Sequence, residues 1–389
     1  MKSNYKRIGN YIQLVDKRNK GLKVDKLLGL SISKQFIPSV ANIIGTDMEN
    51  YKIISKNQFA CSLMQVRRDK KMPVALLQDF DKAIISQAYP VFEVKNKKEL
   101  IPEYLMMWFS RSEFDRETCF HAVGGVRGSL EWEDFCDLKL PIPSIEKQRE
   151  IVEEYNTIQN RITLNQNLIQ KLESTAQAIY KEWFVDGIDK ENLPEGWRIG
   201  TIGDYAKVKS GFAFKSEWWQ QEGVPVIKIG SINNNTIDTN MLDYVSSDII
   251  DRAKNYKVKK ADIVIAMTGA TIGKIGLIPE LNSTILVNQR VGMFDLGNNS
   301  IEKAPFLYIN LLNDSTQNEI INVGGDSAQA NISNSQIESI EMIYPAEELI
   351  ENYNRICHPL FELILNKINE NQKLKELKEL LLSKLAKEI

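Results

Sequence analysis

The stretch DLKLPIPSIEKQREI, residues 137–151, decides how this chain folds. Its first half reads as a short strand, the prolines at 141 and 143 close it, and a charged, helix-forming run begins at Ser144. The phrase is therefore a strand-to-helix junction. About 200 residues later the same junction returns as SIEMIYP, Ser339–Pro345, again ahead of a long charged segment.

Outward from these two junctions the chain repeats itself. IPEYLMMWF (Ile101–Phe109) resembles APFLYINLL (Ala304–Leu312), and each is followed by Val-Gly-Gly, at residues 123–125 and 323–325. Further upstream, AIISQAYPVFEV (Ala83–Val94) matches TILVNQRVGMFDL (Thr284–Leu296) in alternation and position. Both halves run in one order: strands, a short helix, a Gly-Gly loop, a strand ending in proline, a long helix. Such a repeat predicts two domains of one architecture.

The two helical segments carry a seam. In the first, Ile151, Ile158, Asn165, Leu172 and Ile179 recur every seven residues. Tyr155, Ile162, Ile169, Ala176 and Trp183 form an interleaved series, so the segment has coiled-coil spacing. In the second, Ile356, Leu360, Leu363, Leu374, Leu377, Leu381 and Leu385 are assigned to one side, with a looser seam near Lys367 and Asn371. Asn165 and Asn371 each sit near the middle of their helix, where an antiparallel pairing brings them to similar height. The fold expected is α+β. Two similar mixed globular domains (1–143 and 187–343) are held apart by two long antiparallel coiled-coil helices (144–186 and 344–389), with a pseudo-two-fold internal repeat.

Composition narrows the function. With 43% hydrophobic and 26% charged residues the chain reads as globular, and no apolar run reaches membrane-spanning length. The N-terminus lacks the apolar core of a signal peptide, and four scattered cysteines with no C-x-x-C pair suit a reducing, cytoplasmic setting. Only two histidines are present, His121 and His358, which argues against a metal or nucleophile site built on histidine. GATIGK (Gly269–Lys274) has one residue too few between its glycines for a phosphate loop, and Ile275 stands where Ser or Thr must hold magnesium. Its strand-like lead-in points to a hairpin instead. Residues 1–143 hold 23 Lys and Arg against 17 Asp and Glu, whereas residues 194–343 hold 13 against 17. Only the first domain is basic.

Polar loops recur at matching places in the halves. In the first they offer Lys17, Arg18, Lys20, Arg67, Arg68 and Arg127; in the second, Lys215, Asn233, Asn234, Lys274, Gln329 and Asn331. Asn and Gln match adenine edges, Arg and Lys match guanine edges, and Lys also binds phosphate, so these are candidate DNA contacts. The candidate seam residues are Ile151, Ile158, Ile162, Asn165, Ile169 and Leu172 on the first helix, with Leu360, Asn371, Leu374 and Leu381 on the second.

Leu140–Ile151, Ala261–Leu277, Leu193–Trp197 and Ala328–Ser333 resemble segments of type I restriction–modification specificity subunits. The L-P-x-P-x-x-E-x-Q phrase before a long helix is the most specific of these. Leu63–Arg68, the counterpart of GATIGK in the first half, departs from the pattern by lacking its glycines. The resemblance implies a non-catalytic, DNA-binding specificity subunit that reads a bipartite target on double-stranded DNA through two target-recognition domains. It also implies two methyltransferase subunits and two restriction/translocase subunits as partners, which bring S-adenosylmethionine, ATP and magnesium; no cofactor is expected in this chain. Two other readings remain: a coiled-coil scaffold joining two partners without DNA readout, and a stand-alone nuclease.

Overall fold

The computed structural model describes residues 5–39, 46–123, 128–325 and 330–385. The chain forms two compact units, one from the residues up to Asn160 together with those from Lys375 onward, the other from Arg161–Leu374. The two long helices run Ile145–Phe184 and Glu347–Lys384, and each contributes residues to both units. No helix among the described residues is long and apolar enough to cross a membrane.

The first unit is organised by a four-stranded antiparallel sheet, in the order Ile12–Val15, Val91–Val94, Phe59–Cys61, Val74–Leu76. Lys52–Ser55 pairs with Lys82–Ile85, and Tyr5–Arg7 pairs with the junction strand Lys139–Pro141. Alternation in the sequence sends Phe59 and Phe92 to the same face, where their rings stack at 4.9 Å. Phe109, Phe114 and Phe135 complete this aromatic core, and Ile151, Leu382 and Leu385 of the long helices pack into it. The junction itself is pinned by Gln148, which is fully buried. Its amide donates to the carbonyls of Glu99 (2.8 Å) and Pro143 (3.0 Å) and accepts the amide hydrogen of Ile101 (2.9 Å), just before the helix Pro102–Phe109. The Gln of the L-P-x-P-x-x-E-x-Q phrase thus ties the start of the long helix to the domain.

In the second unit a six-stranded sheet runs Val208–Ser210, Val291–Phe294, Ile263–Ala266, Ile275–Leu277, Thr236–Ile237, Ile232–Asn233. Its first four strands reproduce the four of the first unit, in the same order and the same antiparallel sense. The junction strand repeats too, as Glu341–Tyr344 against Arg198–Thr201. The internal repeat therefore extends strand by strand through both cores. A second sheet, Trp219–Gln220, Asp243–Val245, Val224–Ile227, Leu286–Val287, has four strands, whereas beside its four-stranded sheet the first unit has only two-stranded ones among the described residues. Here Asn354 takes a part comparable to that of Gln148, accepting the amide hydrogen of Phe306 at 2.9 Å.

The seam of the first long helix follows the heptads as far as Ala176; beyond it Tyr180 and Phe184 are buried, while the expected Ile179 and Trp183, one position earlier, are half-buried. Ile151, Ile158, Ile162 and Asn165 are buried, as are Ala176 and Tyr180, while Ile169 and Leu172 are half-buried against the core of the second unit. The second helix departs from the face read from its leucines: Ile356, Leu363 and Leu377 are exposed. The buried stripe is Ile350, Tyr353, Cys357, Phe361, Ile364, Leu365, Ile368 and Asn371, followed by Leu382 and Leu385; Leu360, Leu374 and Leu381 lie half-buried beside it. Ile356 and Leu363 sit one position before Cys357 and Ile364, and one residue turns a helix by about 100°. The two helices run antiparallel within each unit. In the second, Tyr353 donates to the carbonyl of Ala176 at 2.9 Å and Arg161 meets Glu370 at 2.6 Å. In the first, Lys378 donates to Gln159 at 2.8 Å and lies over the Tyr155 ring.

Candidate nucleic-acid interface

One loop pair forms the same way in both domains. In domain one, the chain leaving the strand Phe59–Cys61 meets the chain that follows the Gly-Gly loop: Leu130 donates to the Leu63 carbonyl at 2.9 Å, and Arg67 donates to the Gly128 carbonyl at 3.4 Å. In domain two, Ile332 donates to the Met267 carbonyl at 3.0 Å and Gly269 to the Ala330 carbonyl at 2.8 Å. Leu63 with Leu130 and Met267 with Ile332 are thus equivalent contacts.

What the loops present differs. In domain one, Val66–Asp69 is a single helical turn flanked by left-handed Gln65 and Lys70. It exposes Arg67 and Arg68, the latter hydrogen-bonded to Asp69 at 2.7 Å. A Cβ on Gly128 would lie 2.6 Å from that of Arg67, so the arginine stem requires a glycine beneath it. In domain two, Ile263–Ala266 and Ile275–Leu277 pair antiparallel, and both glycines of GATIGK have left-handed φ, +68° and +82°. They are turn glycines of a hairpin rather than a phosphate cradle. Lys274 and Asn331 are exposed on this turn and on the chain bridged to it. Arg127 and Gln329 lie outside the described residues.

The other loops follow the strands Ile12–Val15 and Val208–Ser210, which hold the same place in the two sheets. Lys17 and Lys20 are exposed, and Asn19 between them is buried, bonding both backbone groups of Val24. Arg18 is engaged internally, with Asp16 at 2.8 Å and the Asn50 carbonyl at 2.7 Å. In domain two, a Cβ on Gly211 would meet the carbonyls of Val287 and Asn288 at 2.3 and 2.4 Å, so only glycine lets the loop cross the sheet here. Lys215 is exposed beyond it, 5.4 Å from the Trp218 ring. Asn233 pairs with Thr236 across a two-residue turn in which Asn234 and Asn235 have positive φ, 49° and 58°. Asn tolerates that conformation, which suits a tight hairpin. Asn233 and Asn234 face solvent, whereas the side chain of Asn235 bonds Glu173 and Tyr308.

Motif spacing does not single out Lys228 or Arg252. Both stand over tryptophan rings, Lys228 over Trp219 and Arg252 over Trp218; the available signal was the Trp-Trp pair itself. Among the described residues no group of three or more His, Cys, Asp or Glu is placed to hold a metal ion. Burial pushes the Cys61 thiol far above its usual range, so it is not an activated nucleophile.

Residues 41–174 and 194–379 match the profile of the family described as type I restriction modification DNA specificity domain. The type I restriction enzyme HindI specificity subunit of Haemophilus influenzae is 22% identical over 384 residues, covering 79% of this chain and 81% of that one. The MjaVIII specificity subunit of Methanocaldococcus jannaschii is 23% identical over 240 residues, 59% of this chain and 56% of that relative. The crystal structure of a type I restriction–modification system S subunit from M. genitalium is similar in fold. Its TM-score is 0.52 at 16% sequence identity, covering 98% of this chain and 95% of that one.

Proposed function

This chain belongs to the type I restriction modification DNA specificity family, and we propose that it reads a two-part DNA target, one half through each domain. In this reading it has no catalytic role. Two methyltransferase subunits and two restriction/translocase subunits dock on it and bring S-adenosylmethionine, ATP and magnesium. The observation that carries the proposal is the duplicated loop pair: equivalent backbone bonds at Leu63–Leu130 and Met267–Ile332 frame loops with different side chains. A common frame with different side chains suits two readers of two different half-sites.

Lys17, Lys20, Arg67, Arg68 and Arg127 are the proposed contacts of domain one, with Arg18 shaping its loop. Lys215, Asn233, Asn234, Lys274, Gln329 and Asn331 are those of domain two. The test is methylome sequencing of cells expressing the chain with its partner subunits. The expected result is one interrupted motif that disappears when this chain is left out. Methylation that persists without it, or transfer of labelled methyl groups by the purified chain alone, would overturn the proposal.

A further inference from the structure

Domain two holds thirteen Lys and Arg against seventeen Asp and Glu over residues 194–343, an unpromising balance for binding DNA. The cations are nevertheless gathered. Residues 207–260 contain nine of them against six carboxylates. Four stand on aromatic rings. Lys215 and Arg252 share the ring of Trp218 at 5.4 and 5.8 Å, Lys228 lies 3.5 Å from the Trp219 centroid, and Lys209 lies 4.5 Å from that of Tyr256. The rings themselves are continuous. Phe212 contacts Tyr256 at 5.3 Å, Trp218 at 6.1 Å and Phe214 at 5.2 Å, and Phe214 contacts Trp219 at 5.3 Å. Cations from four separate segments thus share one aromatic floor.

A ring and a carboxylate order a cation differently. The quadrupole of a ring holds an ammonium or guanidinium in place without cancelling its charge, whereas a carboxylate cancels it. Elsewhere in this domain carboxylates do the holding: Lys259 meets Asp262 at 3.0 Å, and Lys260 meets Glu362 at 2.7 Å. On the floor, Lys228 has Asp243 at 3.0 Å, while Glu217 lies 4.0 Å from Lys215. Among the described residues Lys209 and Arg252 form no ion pair. Lys209, Lys215 and Arg252 are exposed, so their charge is open to an anion.

We propose that Lys209, Lys215 and Arg252, ordered on this aromatic floor, grip the phosphate backbone of DNA at domain two. This deepens the reading of that domain as a DNA reader and rests on it. The grip is independent of sequence, and base contacts are left to other residues of the domain, Lys274 and Asn331 among them.

The test uses the full chain assembled with its methyltransferase subunits and two duplexes, one with the mapped target and one scrambled. Affinity is measured across salt concentrations for the wild type, for the Lys209→Gln/Arg252→Gln double variant, and for Lys207→Gln, whose lysine pairs with Glu338. The replaced side chains are exposed, so folding is retained. The double variant is expected to bind both duplexes about 10–100-fold more weakly near 0.1 M salt, with the log–log salt slope reduced by about two. Its preference for the target should be unchanged, and Lys207→Gln should behave as wild type. Unchanged affinity and slope, in an assembly that still selects its target, would overturn the grip and leave the DNA reading intact. A changed preference would also overturn it, by marking these residues as base contacts. A wild-type assembly that fails to bind DNA would overturn both.

Discussion

Asn165 donates from Nδ2 to Oδ1 of Asn371 at 3.0 Å, and both side chains are buried in the seam between the long helices of the second unit. Next to Asn371, Glu370 accepts from Arg161 and Lys367, each at 2.6 Å, and these bonds pull its carboxyl down to about 2. A buried polar pair in an apolar seam specifies alignment, because sliding one helix by a turn leaves both amides facing carbon. Asn165→Leu is expected to destabilise by about 1–3 kcal/mol, since it strands the amide of Asn371. Asn165→Leu with Asn371→Leu is expected to recover much of that stability while loosening register. A double-mutant cycle on thermal melting checks the first point, and disulfide trapping between helix positions checks the second. Additive effects of the two substitutions would show that the amides do not act as a pair.

The first seam was legible as far as Ala176 because Ile151, Ile158 and Asn165, and Ile162, Ile169 and Ala176, recur at sevens; past it the buried side chains are the aromatic Tyr180 and Phe184, one position beyond the heptad series. The second was not. Its buried stripe runs through Tyr353, Cys357 and Phe361, while Ile356 and Leu363 point outward. Weighting leucine and isoleucine therefore selects a neighbouring stripe. That both halves share one order of elements along the chain was legible from the repeat, since alternation survives where residue identity does not; the order of strands within each sheet was not. The aromatic floor was not, because Phe212, Trp218 and Trp219 come together with Tyr256, distant in sequence, by packing against the core of the second sheet. Asn234 and Asn235 suit a tight turn by residue type, but spacing gave no sign that Asn235 bonds inward to Glu173.

That inward contact has a pH signature. Glu173 is hydrogen-bonded to Tyr308, and burial raises its carboxyl above the usual range. A raised carboxyl favours the fold in its protonated form. The stabilisation is full below the unfolded value of about 4.3 and is lost as pH rises through the folded value. Glu173→Gln keeps the hydrogen-bonding shape without the charge. It is expected to raise the melting temperature at pH 8 and to leave it unchanged at pH 4. A lower melting temperature at pH 8 would show that the ionised form is the stabilising one.

Gln148 offers the sharpest test of how the strand-to-helix junction is held. Three backbone groups, on Ile101, Glu99 and Pro143, depend on its amide. Gln148→Leu fills the volume but leaves all three without a partner, at a cost of about 2–5 kcal/mol. Gln148→Glu keeps the acceptor for Ile101 and loses both donors. Denaturant unfolding of the full chain should rank the wild type above both variants, because Glu at this buried position faces two carbonyls with a carboxylate. Equal midpoints for the three would mean that packing alone fixes the helix start.

The duplicated loop frame predicts that half-site recognition can be altered one domain at a time. Arg67 and Arg68 stand on a short turn in domain one, and Lys274 and Asn331 stand on the equivalent frame in domain two. A bidentate side chain on a base edge accounts for about 1–3 kcal/mol of discrimination, roughly 5–150-fold between matched and mismatched bases. Arg67→Ala with Arg68→Ala should therefore relax one half of the methylated motif and leave the other half sharp. Lys274→Ala with Asn331→Ala should do the reverse. Gly128 must stay glycine in the first variant, because a Cβ there would lie 2.6 Å from the Cβ that alanine keeps in place of Arg67. Methylome sequencing of cells carrying each variant with the partner subunits reads the outcome directly. Uniform loss of methylation at all sites would mark these residues as backbone contacts, since a phosphate contact weakens every sequence alike. Relaxation of both halves by one variant would refute a separate reader in each domain.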